Sequence, residues 1–243
     1  MISSYHINRA HINTFLTALP AAGGMSQYAP PGLSAEAAVN HLIRFFPDGP
    51  PEDIVKAAAT SPTGYVIIRG YDKIWLVLPP FAVKDEMWFS EMNPAPLLQL
   101  VETDYHIAFV LARMGAYAVG MAKGEALVSS KVGTGLVHGR HRQGGSSANR
   151  FARHRLKQAE YFFTRVCERA REHIGPYVNQ TDYLVWGGAR TTILALQKQC
   201  GFLAGLKTPA LPQMLDIPDP RKVVLEQALS RVYTTTVLEW AGE

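Results

Sequence analysis

Three β-rich apolar segments follow one another between residues 105 and 133: "YHIAFVLAR", "AYAVGMA" and "EALVSSKVG". Only Met114-Gly115 and Lys123-Gly124 separate them. Parallel neighbours need a crossover of a dozen or more residues, whereas a two-residue link bearing glycine suits a hairpin. The three segments are therefore predicted to pair as an antiparallel meander. A meander this apolar must bury a face, and the chain supplies a cover. Ala152, Leu156, Ala159, Phe163, Val166, Ala170 and Ile174 recur at spacings of four and three, one apolar seam on a long helix. At about 100° per residue, Arg150, Arg153, His154 and Lys157 fall on the opposite face. The helix is predicted to pack on the sheet while its first two turns present cations to solvent.

The pattern continues as a strand ("DYLVWGG"), a helix ("RTTILALQKQCGFL"), a short strand ("MLDIP"), a helix ("PRKVVLEQALSRV") and a last strand-like run ("YTTTVLEW"). Three antiparallel strands followed by this alternation predict an α/β domain, a ribonuclease-H-like mixed sheet with packed helices, over residues 101–243. The first hundred residues read as a small α+β domain. Helical patterns lie in "HINTFLTAL", "SAEAAVNHLIRFF" and "PEDIVKAAAT", with Pro51 placed as a first helical residue, and strands lie in "GYVIIRG" and "KIWLVLPP". "FAVKDEMWFSEMNPAPLLQLV" reads as a connection broken at "NPAP", with the domain boundary near residue 100.

Composition narrows the class. Nearly half of the 243 residues are hydrophobic, which makes the chain globular. Its longest apolar run, "IAFVLARMGAYAVGMA", is interrupted by Arg113 and turn residues, so no membrane span and no membrane partner are predicted. No basic stretch precedes the apolar patch of the N-terminus, which argues against a secretory leader. Two cysteines, Cys167 and Cys200, are too few for a disulfide framework and lack zinc-ligand spacing, so reduced thiols and a cytoplasmic location are expected. The net charge of +4 is concentrated in one place. Lys131, Arg140, Arg142, Arg150, Arg153, Arg155 and Lys157 occupy a stretch without Asp or Glu, and the rest of the chain carries more acidic than basic residues. A local cationic patch on a mildly acidic body is the footprint of a polyanion site, most often nucleic acid, although a solvated loop would have the same charge.

The centre of that stretch reads "HGRHRQGGSSANRFARHR", residues 138–155. Ser146 or Ser147, just ahead of the seam, is placed to cap the long helix, and no G-x-S-x-G elbow makes either a nucleophile. His138, His141 and His154 lack a partnering Cys or carboxylate, which favours solvated or phosphate-contacting imidazoles over metal ligands. Gly144-Gly145 permits positive φ and close backbone approach, and with the helix N-terminus and flanking arginines it forms a cradle for an anion. "GTGLVHG" does not continue into the Gly-Lys-Ser/Thr of a nucleoside-triphosphate loop. No cofactor and no metal are predicted.

"GGSSANRFARHR" resembles the Gly-Gly-Gln loop and following helix in the central domain of eukaryotic and archaeal peptide chain release factors. Upstream, "GAYAVGMAKGEALVSSKVGTGLVHGRHRQGG" is similar to the bacterial branch of the Vms-like release factors, peptidyl-tRNA hydrolases with a ribonuclease-H-like domain. "DYLVWGGARTTILAL" is similar to the family's next strand, Gly-Gly turn and helix. The resemblance covers roughly residues 104 to 240 and implies rescue of stalled ribosomes by hydrolysis of the ester joining nascent chain to tRNA. The loop tip would enter the peptidyl-transferase centre of the large subunit. There Gln143, Gly144, Gly145, Ser146 and Ser147 would position water and stabilise the oxyanion. Lys131, Arg140, His141, Arg142, Arg150, Arg153 and Lys157 would hold rRNA and tRNA; DNA is not an expected partner.

The sequence departs from the family at one point. The release-factor glutamine aligns with Ser146, the Vms-like glutamine with Ser147 or Ala148, and the only loop glutamine is Gln143. Either Gln143 or a serine substitutes, or the protein is a non-catalytic ribosome-binding factor, for hibernation or assembly, that occupies the same centre. A metal-dependent nuclease, suggested by the fold alone, would need carboxylates on the central strands, and "YHIAFVLAR" and "AYAVGMA" have none.

Overall fold

The computed structural model describes residues 2–19, 24–136 and 148–241. It is a mixed α/β structure with two sheets and eight helices among those residues. The chain divides into two compact units: Met1–Thr103 with Ser230–Glu243, and Asp104–Leu229.

The first unit is built on a six-stranded antiparallel sheet. It contains β1 (Ile2–Ile7), β2 (Met25–Ala29), β3 (Tyr65–Arg69), β4 (Lys73–Leu78), β5 (Met87–Phe89) and β10 (Thr235–Ala241), in the order β1-β10-β4-β3-β2-β5. Strand alternation sends Val66, Ile68, Trp75 and Val77 to one face, against α1 (Arg9–Ala18) and α4 (Ala95–Glu102). Tyr65, Ile67, Ile74 and Leu76 go to the other, against α2 (Ala35–Leu42) and α3 (Glu52–Thr60). Several expectations change here. The run at residues 81–101 holds β5 and α4, because Pro94 sits at the N-cap and Pro96 in the first turn, where a missing N–H costs nothing. Pro51 is likewise an N-cap rather than the first helical residue. β1 and β2 were not expected from the sequence.

The last strand also changes place. Expected in the second domain, β10 instead lies between β1 and β4, paired antiparallel to both. Glu239 fixes it there. Its carboxylate accepts hydrogen bonds from Lys73 Nζ (2.6 Å), Tyr5 Oη (3.1 Å) and Trp75 Nε1 (3.1 Å). The Lys73 hydrogen bond is the chief reason the Glu239 carboxyl titrates below the usual range. Burial, aided by that carboxylate, pushes the Tyr5 phenol up to about 12.

The second unit has the predicted meander: β6 (His106–Arg113), β7 (Ala116–Lys123) and β8 (Ala126–Thr134) pair antiparallel, and β9 (Tyr183–Gly188) joins β6 in parallel, in the order β8-β7-β6-β9. Instead of a short strand at "MLDIP", single parallel bridges, Leu184 to Ala210 and Gly187 to Leu215, extend the sheet past β9. One face carries α5 (Ala148–Ile174), α6 (Arg190–Gln199) and the short α7 (Gly201–Ala204), packed on Ala108, Val110, Tyr117 and Val119. A 3-10 turn (Gly175–Gln180) links α5 to β9, and α8 (Lys222–Val232) buries Val224, Leu225, Ala228 and Leu229. Glycine is obligatory at the last residue of β9. Gly188 has φ +110°, and a Cβ there would lie 2.1 Å from the Ala112 carbonyl oxygen.

Candidate functional site

The basic loop joins the end of β8 to the start of α5. Of the residues predicted to act in it, Arg140, His141, Arg142, Gln143, Gly144, Gly145, Ser146 and Ser147 lie outside the described residues, as does His138. The structure does describe the strand that enters the loop and the helix that leaves it.

At the β8 end, two glycines let aromatic rings lie against the strand. A Cβ on Gly133 would meet the Tyr117 ring at 2.5 Å, and one on Gly135 would meet Phe162 at 2.8 Å. Both rings are fully buried, and they pack edge to face with centroids 6.0 Å apart. Gly135 N–H donates to the Gly115 carbonyl (2.9 Å), which pins the chain where it leaves the sheet. On the helix side, Phe162, Phe163, Val166, Ala170 and Ile174 are buried in the sheet-facing core. Cys167 is joined to Cys200, just beyond α6, by a disulfide with Cα atoms 5.4 Å apart. The expected reduced thiols are therefore paired in the structure. Thirty-three residues of sequence separation concealed a contact made by two helices packed side by side on one sheet face.

The rest of α5 is differently placed. No described side chain from Arg150 to Tyr161 is buried. Fourteen residues, 148–161, precede Phe162, so roughly 21 Å of helix at 1.5 Å per residue precedes the first described side chain that is fully buried. Leu156 was expected in the seam and is instead 64% exposed; burial begins later, because β8 ends opposite Phe162. Arg150, Arg153 and Lys157 are exposed on this segment, as predicted, and make no ion pair with another described residue.

Lys131 is set apart from them. Ser129, Lys131 and Gly133 share the β8 face toward α5, where the Ser129 hydroxyl pairs with His173 Nδ1 (2.8 Å). The Lys131 charge acts on Glu172, whose carboxyl is held below the usual range first by its hydrogen bond from Arg169 and further by Lys131. Along α5, Glu172 is roughly 28 Å from Arg153. Among the described residues no group of His, Cys, Asp and Glu is arranged to hold a metal ion, and no helix is long and apolar enough to cross a membrane.

Four residues with no expected role, Gly133, Gly135, Tyr117 and Phe162, fix the chain where it leaves β8 and where α5 meets the sheet. The i, i+2 spacing of the two glycines, which puts them on one strand face, was the available signal.

The model of one protein family, the Actinobacteria/Chloroflexi VLRF1 release factors, matches residues 105–238, more than half of the chain. The chain belongs to this family. Gly133, Gly135, Gly187, Gly188 and the whole of α5 lie within the matched region, so the VLRF1 region includes both supports of the basic loop. Among curated proteins, the chain is 32% identical over 162 residues to peptide chain release factor subunit 1 of Archaeoglobus fulgidus. The match covers 65% of this chain and spans 38% of that relative's length. Solved structures that it resembles include the archaeal translation termination factor aRF1, with a TM-score of 0.42 and 15% identity over 93% of this chain and 73% of that one. Another is the Pelota protein of Thermoplasma acidophilum, with a TM-score of 0.27 and 7% identity over 92% and 62%.

Proposed function

We propose that this VLRF1 family member is a cytoplasmic, ribosome-associated peptidyl-tRNA hydrolase that frees nascent chains from stalled ribosomes. The observation that carries the reading is the combination of the family match with a loop of Gly-Gly sequence rooted beside an exposed, cationic helix segment. The release-factor-like part is centred on the unit Asp104–Leu229, and the strand order β8-β7-β6-β9 with its parallel last member supports a ribonuclease-H-like arrangement.

In this reading Arg140, His141, Arg142, Arg150, Arg153 and Lys157 bind rRNA and the tRNA acceptor end, bringing the loop into the peptidyl-transferase centre of the large subunit. Gly144 and Gly145 aim backbone N–H groups at the ester oxygen, where negative charge develops. Gln143, Ser146 or Ser147 holds the water. Its oxygen adds to the ester carbonyl carbon, the bond from that carbon to the tRNA ribose oxygen breaks, and that oxygen takes the proton the water gives up. The protein supplies positioning and electrostatics, with no covalent intermediate.

One observation favours a second reading. By the resemblance to the release factors, Ser146, Ser147 or Ala148 stands where the family has its glutamine, as suits a factor that occupies the centre without chemistry. Release of labelled peptide from ribosome-bound peptidyl-tRNA separates the two. Hydrolysis above the uncatalysed rate supports the enzyme; binding to the complex without release identifies the occupancy factor.

A further inference from the structure

We infer that Tyr161 is a nucleobase-stacking residue, so that the outward face of α5 grips unpaired RNA nucleotides rather than duplex backbone alone. The inference rests on the RNA-binding reading above and adds to it a residue and a class of RNA.

At about 100° per residue, Arg150, Arg153, His154, Lys157 and Tyr161 fall within one arc of about 100° on α5. The arc lies opposite the seam of Phe163, Val166 and Ala170. Tyr161 is 67% exposed at the inner end of this arc, one turn beyond Lys157 and roughly 16 Å from Arg150. The next residue, Phe162, is fully buried with Tyr117, about 100° further round the helix. Packing therefore does not account for a large aromatic side chain at this position. Its surroundings do point to a ligand. From Lys131 to Lys157 no carboxylate occurs, Glu160 flanks the arc, and Glu168 is the next acid on the outward face, two turns further on. The tyrosine thus ends a row of arginine and lysine, Arg150, Arg153 and Lys157, none of which forms an ion pair with a described acid.

Cations hold phosphates and say nothing of bases, whereas an exposed aromatic face stacks on any base that is free of its helix. The deep major groove of an RNA duplex hides base edges, so a stacking tyrosine selects loops, bulges and single-stranded ends. A row of arginine and lysine leading to one tyrosine fits an RNA strand whose phosphates run along the helix and whose last base is splayed outward.

The test uses the full chain, a fluorescently labelled twelve-nucleotide oligoadenylate and a blunt RNA duplex of equal length, titrated by anisotropy across a series of KCl concentrations. Tyr161→Ala is expected to weaken oligoadenylate binding by about 5- to 150-fold, the size of one base–aromatic stack, with the salt slope and duplex affinity unchanged. Tyr161→Trp restores binding. Arg153→Ala with Lys157→Ala instead flattens the slope, by about 0.7 for each single-strand phosphate left without its cation. Unaltered oligoadenylate affinity in Tyr161→Ala, with the arginine and lysine effect intact, overturns the stacking role alone. Equal weakening on single strand and duplex overturns it too. Failure of the unsubstituted protein to bind either RNA overturns both this inference and the RNA interface beneath it. Because Tyr161 is exposed, its variants should melt with the unsubstituted protein, which serves as the folding control.

Discussion

Breaking the Cys167–Cys200 disulfide should loosen the helix that carries the loop, and the cost follows from the size of the ring it closes. A cross-link over 33 residues removes loop-closure entropy from the unfolded chain worth about 3.7 kcal/mol at 25 °C. The folded state should lose little on reduction, because Cys200 is fully buried and Cys167 partly so, and thiols pack as small apolar groups. The second unit, Asp104–Leu229, has 126 residues. Its melting entropy is then about 0.26 kcal/mol per kelvin, and the loss corresponds to a fall in Tm of about 14 °C for that unit. Scanning calorimetry with and without a phosphine reductant measures it, and alkylation of the folded protein counts free thiols beforehand. Cys167→Ala with Cys200→Ala should melt low in both conditions. A shift under about 3 °C on reduction, or two free thiols in oxidised protein, would refute the reasoning.

Gly188→Ala should cost at least about 3 kcal/mol or prevent soluble expression, since its Cβ would collide with the Ala112 carbonyl. Gly49→Ala, at φ +97° with nothing within 4 Å, should cost only about 1–2 kcal/mol in a urea melt. The depressed Glu239 carboxyl lends stability above the unfolded glutamate pKa of about 4.3, and that contribution disappears as pH falls through the lower folded value. Glu239→Gln should therefore flatten the stability–pH curve below about pH 5, as followed by urea midpoints. In a peptide-release assay, Gly144→Ala with Gly145→Ala should abolish release and spare ribosome binding. Gln143→Ala should slow release more than Ser146→Ala if Gln143 holds the water, and the reverse order assigns that role to the serine.

Where the sequence carried periodic or turn information, it was readable. The meander followed from two short glycine links, and the cations of α5 from a 100° count. Contacts between distant segments left no such trace. Cys167 and Cys200 meet because α5 and the end of α6 share one sheet face. β10 looked like a late strand of the nearer domain, since strand pattern fixes alternation and not the partner. Leu156 shows a different limit. The seam correctly gave the buried face of the helix, but where burial starts depends on where β8 stops. Of the candidate site, the exposed arginines and Lys157 were legible as a patch. Lys131 was grouped with them by sequence proximity, although the strand faces it toward Glu172.

The place of β10 bears on how the protein is made. Residues 104–229 interrupt the sheet of the first unit, so β1 and β4 emerge from a ribosome long before the strand that joins them. Between Lys73 and Thr235 lie about 160 residues, roughly 8–30 s of synthesis at 5–20 residues per second. Throughout that interval β1 lacks its partner strand, and the edge of β4 is unpaired. The later-made unit, contiguous in the chain, can close first, and the amino-terminal sheet is completed last. The 7 residues of one strand thus make the first unit the last that can be completed, although its synthesis begins first.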